Sequence, residues 1–112
     1  MARIVQSGGR PLRVGIFLPS LEVGGAERAM LNLASGLRKT AGIQVEIVLA
    51  QARGGYLHEI PQGQSVVDLA CPRVSRSLFP LVRYLRRRRP AVMISAMEHA
   101  NILAIVARRL AG

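Results

Sequence analysis

Apolar residues recur along this chain in two alternating rhythms. Residues 13–18, Arg-Val-Gly-Ile-Phe-Leu, form a short apolar run closed by Pro19, which reads as a buried strand. Pro19 to Gly25 is a loop rich in breakers. From Ala26 the period lengthens. Ala26, Met30, Leu33, Ala34 and Leu37 share one face, and Glu27, Arg28, Asn32, Ser35 and Arg38 share the other. That pattern predicts an amphipathic helix ending near Lys39 and Gly42, with cations in its last turn. Val45 to Leu49 reads as a second strand, rich in β-branched residues.

Residues 53–63 form a glycine-bounded excursion with one helical turn around Tyr56 to Ile60, and Ser65 to Leu69 fits a third strand. Ser77 is placed to cap a helix carrying Leu78, Leu81, Val82 and Leu85 on one face, with Pro80 in its first turn. Pro90 stops that helix. Ala91 to Ser95 reads as a fourth strand. A last helix over 99–110 is expected to bury Ile102, Leu103, Val106 and Leu110.

The order βαβ(α)βαβα predicts an α/β fold. It is a Rossmann-like parallel sheet of about four strands, in the order 3-2-1-4, with helices on both faces. At 112 residues the chain is one domain, 1–112, with residues 1–11 as a flexible tail. Half of the residues are apolar and only 4% are aromatic, so the core is built from aliphatic side chains.

Three further features bear on function. Cys71 is the single cysteine, which excludes an internal disulfide framework and reads as a small buried hydrophobe in a cytoplasmic setting. The segment Met1 to Arg13 has no apolar core followed by a small-residue cleavage site, so it is not a signal peptide, and no apolar run is long enough to span a bilayer.

The net charge is +10, and its distribution is uneven. Between Asp68 and Glu98 there is no acidic residue, while Arg73, Arg76, Arg83, Arg86, Arg87, Arg88 and Arg89 lie in that stretch. Arg83 and Arg86 to Arg89 form a candidate patch for phosphates or an anionic membrane surface. The competing reading is a solvated helix end in a chain with fifteen arginines and one lysine. Nucleic acid is disfavoured as a partner. Only Phe79 and Tyr84 accompany the arginines, too few for a stacking platform.

In open parallel sheets, ligands bind beyond the carboxyl ends of the strands, beside the switch in strand order. This directs attention to Pro19–Gly25, a glycine loop running into a helix N-terminus, where backbone N–H groups can meet an anion. There is no Gly-x-Gly-x-x-Gly, no Gly-Lys-Ser/Thr and no acidic cluster for a metal, so nicotinamide, P-loop and metal chemistries lack their signatures. A Gly-Gly pair alone also fits a tight turn with close packing.

The run Ile16-Phe17-Leu18-Pro19-Ser20-Leu21-Glu22-Val23-Gly24-Gly25-Ala26-Glu27-Arg28, continued by Leu31-Asn32-Leu33-Ala34, resembles the first strand, glycine loop and helix of family 4 glycosyltransferases. Gly55-Tyr56-Leu57 with Ile60-Pro61, and Leu85 to Pro90 followed by Asn101 and an Ala-rich helix, are similar to later stretches of that family. The similarity covers roughly residues 12–111.

The resemblance implies a partial N-terminal, acceptor-side domain of a GT-B enzyme. Such an enzyme transfers a sugar from a nucleotide-sugar donor to a polysaccharide or lipid-linked acceptor, without a metal or organic cofactor. It implies that Gly24 and Gly25 offer backbone N–H groups to the donor's diphosphate. It makes Glu98, His99 and Asn101 acceptor-side candidates. Many family members carry a histidine just after the fourth strand, where Ala96 stands here; His99, three residues on, either substitutes for it, contacts acceptor or faces solvent at a helix start, the last being favoured. Glu27 fits better as a residue complementing the helix dipole, and His58 as a surface residue.

The family's C-terminal half, with its paired glutamates, is not in these residues. The 112 residues alone are therefore expected to be inactive, since one wall of a cleft cannot hold donor and acceptor in attack geometry. The expected location is cytoplasmic, with peripheral attachment to the inner face of the membrane through the arginines. The alternative function is a non-catalytic Rossmann-like module that binds a phosphate or a partner chain.

Overall fold

The computed structural model describes residues 11–95 and 98–111; the side chains of 74, 75 and 98–103 lie outside that description. Residues 1–10 of the expected tail also fall outside it. Strands β1 (Leu12–Leu18), β2 (Ile43–Leu49), β3 (Ser65–Asp68) and β4 (Val92–Ser95) form one parallel sheet in the order β3-β2-β1-β4. Helices α1 (Gly25–Arg38), α2 (Leu78–Arg88) and α3 (Glu98–Ala111) complete the Rossmann-like α/β architecture that the periodicity predicts. Short 3-10 turns occupy Gly55–Glu59 and Val74–Ser77.

The two faces of the sheet follow from strand alternation. Ile16 and Leu18 of β1 join Val45, Ile47 and Leu49 of β2 in a core shared with Ala34 of α1. Phe17 and Val48, one position out of phase, join Leu81, Val82, Tyr84 and Leu85 of α2 and Ala104 and Ala107 of α3. Central strands buried on both faces explain the apolar runs at 14–18 and 47–49.

Three expectations are corrected. First, α1 turns Glu27, Met30, Leu31, Ala34 and Leu37 inward, while Ala26 and Leu33 are exposed. The 3-10 turn at Gly55–Glu59 adds Tyr56 and Leu57 to this core. Its Glu59 grips Arg28, so the helix is rolled toward its Arg28–Leu31 side.

Second, Val106 and Leu110 are exposed, and α3 buries Ala104 and Ala107 instead. Ile102 and Leu103 lie outside the described side chains. Alanines on one helical face permit a close approach to α2 that larger side chains would block.

Third, Ser77 precedes α2 and is fully buried, but its hydroxyl makes no capping bond to the helix. The preceding 3-10 turn runs straight into α2 and leaves Ser77 with helical dihedrals, φ −85° and ψ 0°, whereas a side-chain cap needs an extended residue.

The α2 face also holds a buried carboxylate. Glu46 of β2 is 4% exposed. Tyr84 donates its hydroxyl to Oε1 at 2.7 Å, and Arg88 donates Nε and Nη2 to Oε2 at 3.1 and 2.6 Å. The register explains how Tyr84 reaches it. Gly15 pairs with Glu46, and a β-carbon at position 15 would lie 3.1 Å from the Tyr84 hydroxyl. A side chain there would crowd the phenol, so glycine suits the strand beside Tyr84.

Burial pushes the Glu46 carboxyl upward, but the hydrogen bonds from Arg88 and Tyr84 and the charges of Arg88 and Arg13 outweigh it and hold it below the ordinary range. Burial and the Glu46 bond push the Tyr84 phenol far up, so it remains a donor.

Tyr84→Phe, which leaves a buried carboxylate short of a donor, is expected to lower stability by roughly 1.5–3 kcal/mol in urea denaturation. The folded-state pKa of Glu46 lies below its unfolded value. Its contribution is therefore present above the unfolded value of about 4.3 and lost as pH falls below it. Glu46→Gln should flatten the acid limb of the stability curve; an unchanged limb would refute this role.

Candidate functional site

The loops at the carboxyl ends of β1, β2 and β3 are stitched together through their backbones. Ala50 and Gln51 donate to the carbonyls of Leu18 and Pro19, both at 3.0 Å. Leu21 donates to Arg53 O at 2.9 Å and accepts from Tyr56 N at 3.0 Å. Leu69 and Cys71 donate to Leu49 O and Ala50 O at 2.8 and 2.7 Å. Asp68 closes the set, its Oδ1 accepting from Ala52 N at 3.0 Å and Ala70 N at 2.8 Å. Leu21 is fully buried at the centre of this arrangement.

Gly54 makes the central contact possible. Its φ is +117°, and a β-carbon there would lie 2.3 Å from the carbonyl carbon and oxygen of Leu21. No other residue fits that combination of dihedral and contact. Side chains reinforce the clamp. Arg28 forms a two-oxygen ion pair with Glu59 at 2.7 Å and stacks 4.5 Å over the Tyr56 ring, and Arg53 meets Glu22 at 3.5 Å. The Glu59 hydrogen bond, then Tyr56, raise the already high pKa of Arg28.

This clamp carries the glycine loop. Gly24 is the residue before α1, extended at φ −173° and ψ 167°, and its carbonyl accepts from Arg28 N at 3.0 Å. A β-carbon on Gly24 would lie 2.6 Å from Oε1 of Glu27, whereas one on Gly25 would meet nothing within 4 Å. Glu27 is 6% exposed, folded back over the first turn of its own helix. The position suits a carboxylate, because the first-turn N–H groups and the helix dipole favour negative charge there. The space beside Gly25 is open, and backbone N–H groups at a helix N-terminus border it.

The strand order reverses between β1 and β4, so the loop after β1 and the chain after β4 flank the switch point. Glu98 opens α3, and His99 and Asn101 lie in its first turn. Their side chains, like the whole of Ala96, lie outside the described residues. The backbone thus brings the acceptor-side candidates and the Gly24–Gly25 loop to the same end of the sheet.

The arginine stretch divides. Arg88 is committed to Glu46, and Arg86 donates to Leu110 O of α3 at 3.0 Å. Arg83, Arg87 and Arg89 are exposed. Arg89 ends α2 in the left-handed region at φ 43°, donating to Leu85 O at 2.9 Å just before Pro90.

Cys71 is buried and His58 exposed, each as its sequence context suggests. Among the described residues no group of three or more His, Cys, Asp or Glu side chains could hold a metal, and no helix is long and apolar enough to cross a membrane.

Sequence reasoning missed the clamp residues Gly54, Asp68, Glu59 and Arg28. Two signals were available: the Gly54-Gly55 pair, and an aspartate closing a strand where its carboxylate can bond the backbone two residues on.

A family model described as Glycosyltransferase Family 4 matches residues 23–112, which include Gly24 and Gly25, all three helices and strands β2 to β4. No curated protein and no solved structure matches the chain.

Gly54→Ala is expected to lower stability by roughly 1–3 kcal/mol through forced dihedral strain, before the clash with Leu21 is added. Gly25→Ala should be neutral or stabilising by up to about 1 kcal/mol, since it adds a helix former in open space. Urea denaturation of both variants checks the contrast, and equal losses would contradict it.

Proposed function

The chain belongs to glycosyltransferase family 4, and from that membership we propose that it forms the acceptor-side wall of a GT-B enzyme. The enzyme moves a sugar from a nucleotide-sugar donor to a polysaccharide or lipid-linked acceptor. The observation that carries this reading is the open space at Gly25, at a helix N-terminus beside the sheet's switch point. A glycine inside the first turn of a helix lowers helix propensity. Here neither the dihedral nor any neighbouring atom requires one. Close approach of a ligand to the backbone gives it a purpose.

In this reading the donor's diphosphate accepts hydrogen bonds from backbone N–H groups at Gly24 and Gly25, and the α1 dipole stabilises its charge. Glu27 covers Gly24 from the helix side, which leaves the Gly25 side for the phosphate. The clamp on Leu21 keeps the loop in place, so little ordering remains to be done on binding. Glu98, His99 and Asn101, across the switch point, face the acceptor in this proposal. The nucleotide sugar is a substrate, and transfer is proposed to need no metal or organic cofactor.

Arg83, Arg87 and Arg89 support a second element of the proposal, attachment to an anionic membrane surface on the cytoplasmic side. With Arg88 held by Glu46, these three exposed cations are the part of the stretch available to a lipid headgroup. The 112 residues alone supply one wall of the cleft. Transfer is proposed to require a donor-binding half that closes over the glycine loop.

The experiment is a transfer assay with labelled nucleotide sugars, using this chain alone and joined to a donor-binding GT-B half. Transfer is expected from the joined protein only. Gly25→Val, which fills the open space, should reduce it about tenfold or more while leaving the fold intact by circular dichroism. Full activity in Gly25→Val would overturn the placement of the diphosphate. A joined protein that consumes no nucleotide sugar would overturn the enzymatic reading and leave a binding module.

A further inference from the structure

A second cavity opens at the opposite end of the sheet. Seven residues of β1 separate the two ends, about 20 Å at the usual strand rise. The cavity holds about 280 Å³ and lies among the amino ends of β1, β2 and β3. Its lining includes Arg13, Arg38 and Arg88, one carboxylate, Glu46, and the polar side chains of Gln44 and Gln64.

Its charge is unbalanced. Arg88 and Tyr84 already satisfy Glu46, with Arg88 bonded through Nε and Nη2. With three arginines and one glutamate, the lining carries an excess of two positive charges. Arg13 is held in place by Nη1, which donates to the Arg88 carbonyl at 2.5 Å, yet its Nε is buried without a partner. Arg38 is fixed on the opposite rim, where Nη2 donates to Gln62 O at 3.3 Å. Gln64 braces the floor by donating to Val45 O and Ser65 O at 2.7 and 2.9 Å. A buried, unpartnered guanidinium donor is costly, and native structures usually answer one with an acceptor.

We propose that this cavity is a binding site for a small soluble phosphate dianion, held by Arg13 and Arg38 with Arg88 behind them. Guanidinium groups match phosphate oxygens in charge and in paired donor geometry. A dianion would neutralise the excess positive charge of the lining. The site is separate from the glycine loop, so it stands whether or not the diphosphate reading above holds. Because the ligand would link α1, β1 and the segment before β3, its binding should stiffen the sheet's amino edge.

The test is a titration of the 112-residue chain with inorganic phosphate, followed by thermal unfolding and calorimetry, with sodium chloride matching the ionic strength. A saturable rise in melting temperature and a saturable heat are expected. Arg13→Gln and Arg38→Gln should each weaken phosphate binding about tenfold or more. Arg108→Gln, on the exposed surface of α3, should leave it unchanged. Arg38 is exposed, so its variant keeps the test decisive if Arg13→Gln fails to fold. No saturable binding beyond the salt control would overturn the proposal. So would binding that survives Arg38→Gln, which would place the anion on other arginines.

Discussion

Everything proposed for the carboxyl end of this sheet depends on two backbone hydrogen bonds to one residue, Leu21, from the loop that follows β2. A loop after a strand is ordinarily the mobile part of an α/β protein, because its backbone groups have no ladder to join. Here the ladder continues past the strand ends. Leu18, Pro19 and Leu21 each meet the Ala50–Tyr56 segment, and Leu49 and Ala50 meet the loop after β3 in turn. Gly54 alone can stand where the two loops touch. The consequence is a fixed helix N-terminus with open space beside it, the geometry an anionic ligand needs without prior ordering.

The two ends of the sheet solve the problem of negative charge differently. The carboxyl end presents backbone amides and a helix dipole, with its own Glu27 folded over the first turn. The amino end presents guanidinium groups around Glu46, a carboxylate buried on the α2 face. Glu46 is the hinge of that second arrangement. It draws Tyr84 onto the sheet and pairs with Arg88, which stays half-exposed within the arginine run. A chain of net charge +10 thus divides its cations between a buried carboxylate and the solvated surface.

Much of this was legible in the sequence, for definite reasons. The strand runs at 14–18 and 47–49 are apolar on both faces because helices cover both faces, and such runs admit few other readings. The alternation with helical segments then narrows the sheet to a few doubly wound orders, among them the observed β3-β2-β1-β4. What was not legible is how each helix is rolled. Leu33 and Leu31 lie only two positions apart, and periodicity could not tell which faces the core until the turn at Gly55–Glu59 was seen to pack against the Arg28 side. Likewise Val106 and Leu110 outscore alanine on any apolar scale. Yet α3 packs through Ala104 and Ala107, because close approach to α2 rewards small residues. At the candidate site, Gly24 and Gly25 stood out through their context. The clamp behind them is made of backbone groups thirty residues apart, and a local pattern carries no trace of such pairing.

The Gly24–Gly25 amides are proposed as a held, open anion site at the sheet's switch point. A ¹H–¹⁵N correlation titration of the chain with a nucleoside diphosphate tests it most directly. The account predicts saturable shifts centred on the amides of Gly24, Gly25 and Ala26, with the clamp amides of Leu21 and Tyr56 little moved. Shifts confined to the arginine side chains, or none at saturating ligand, would contradict it.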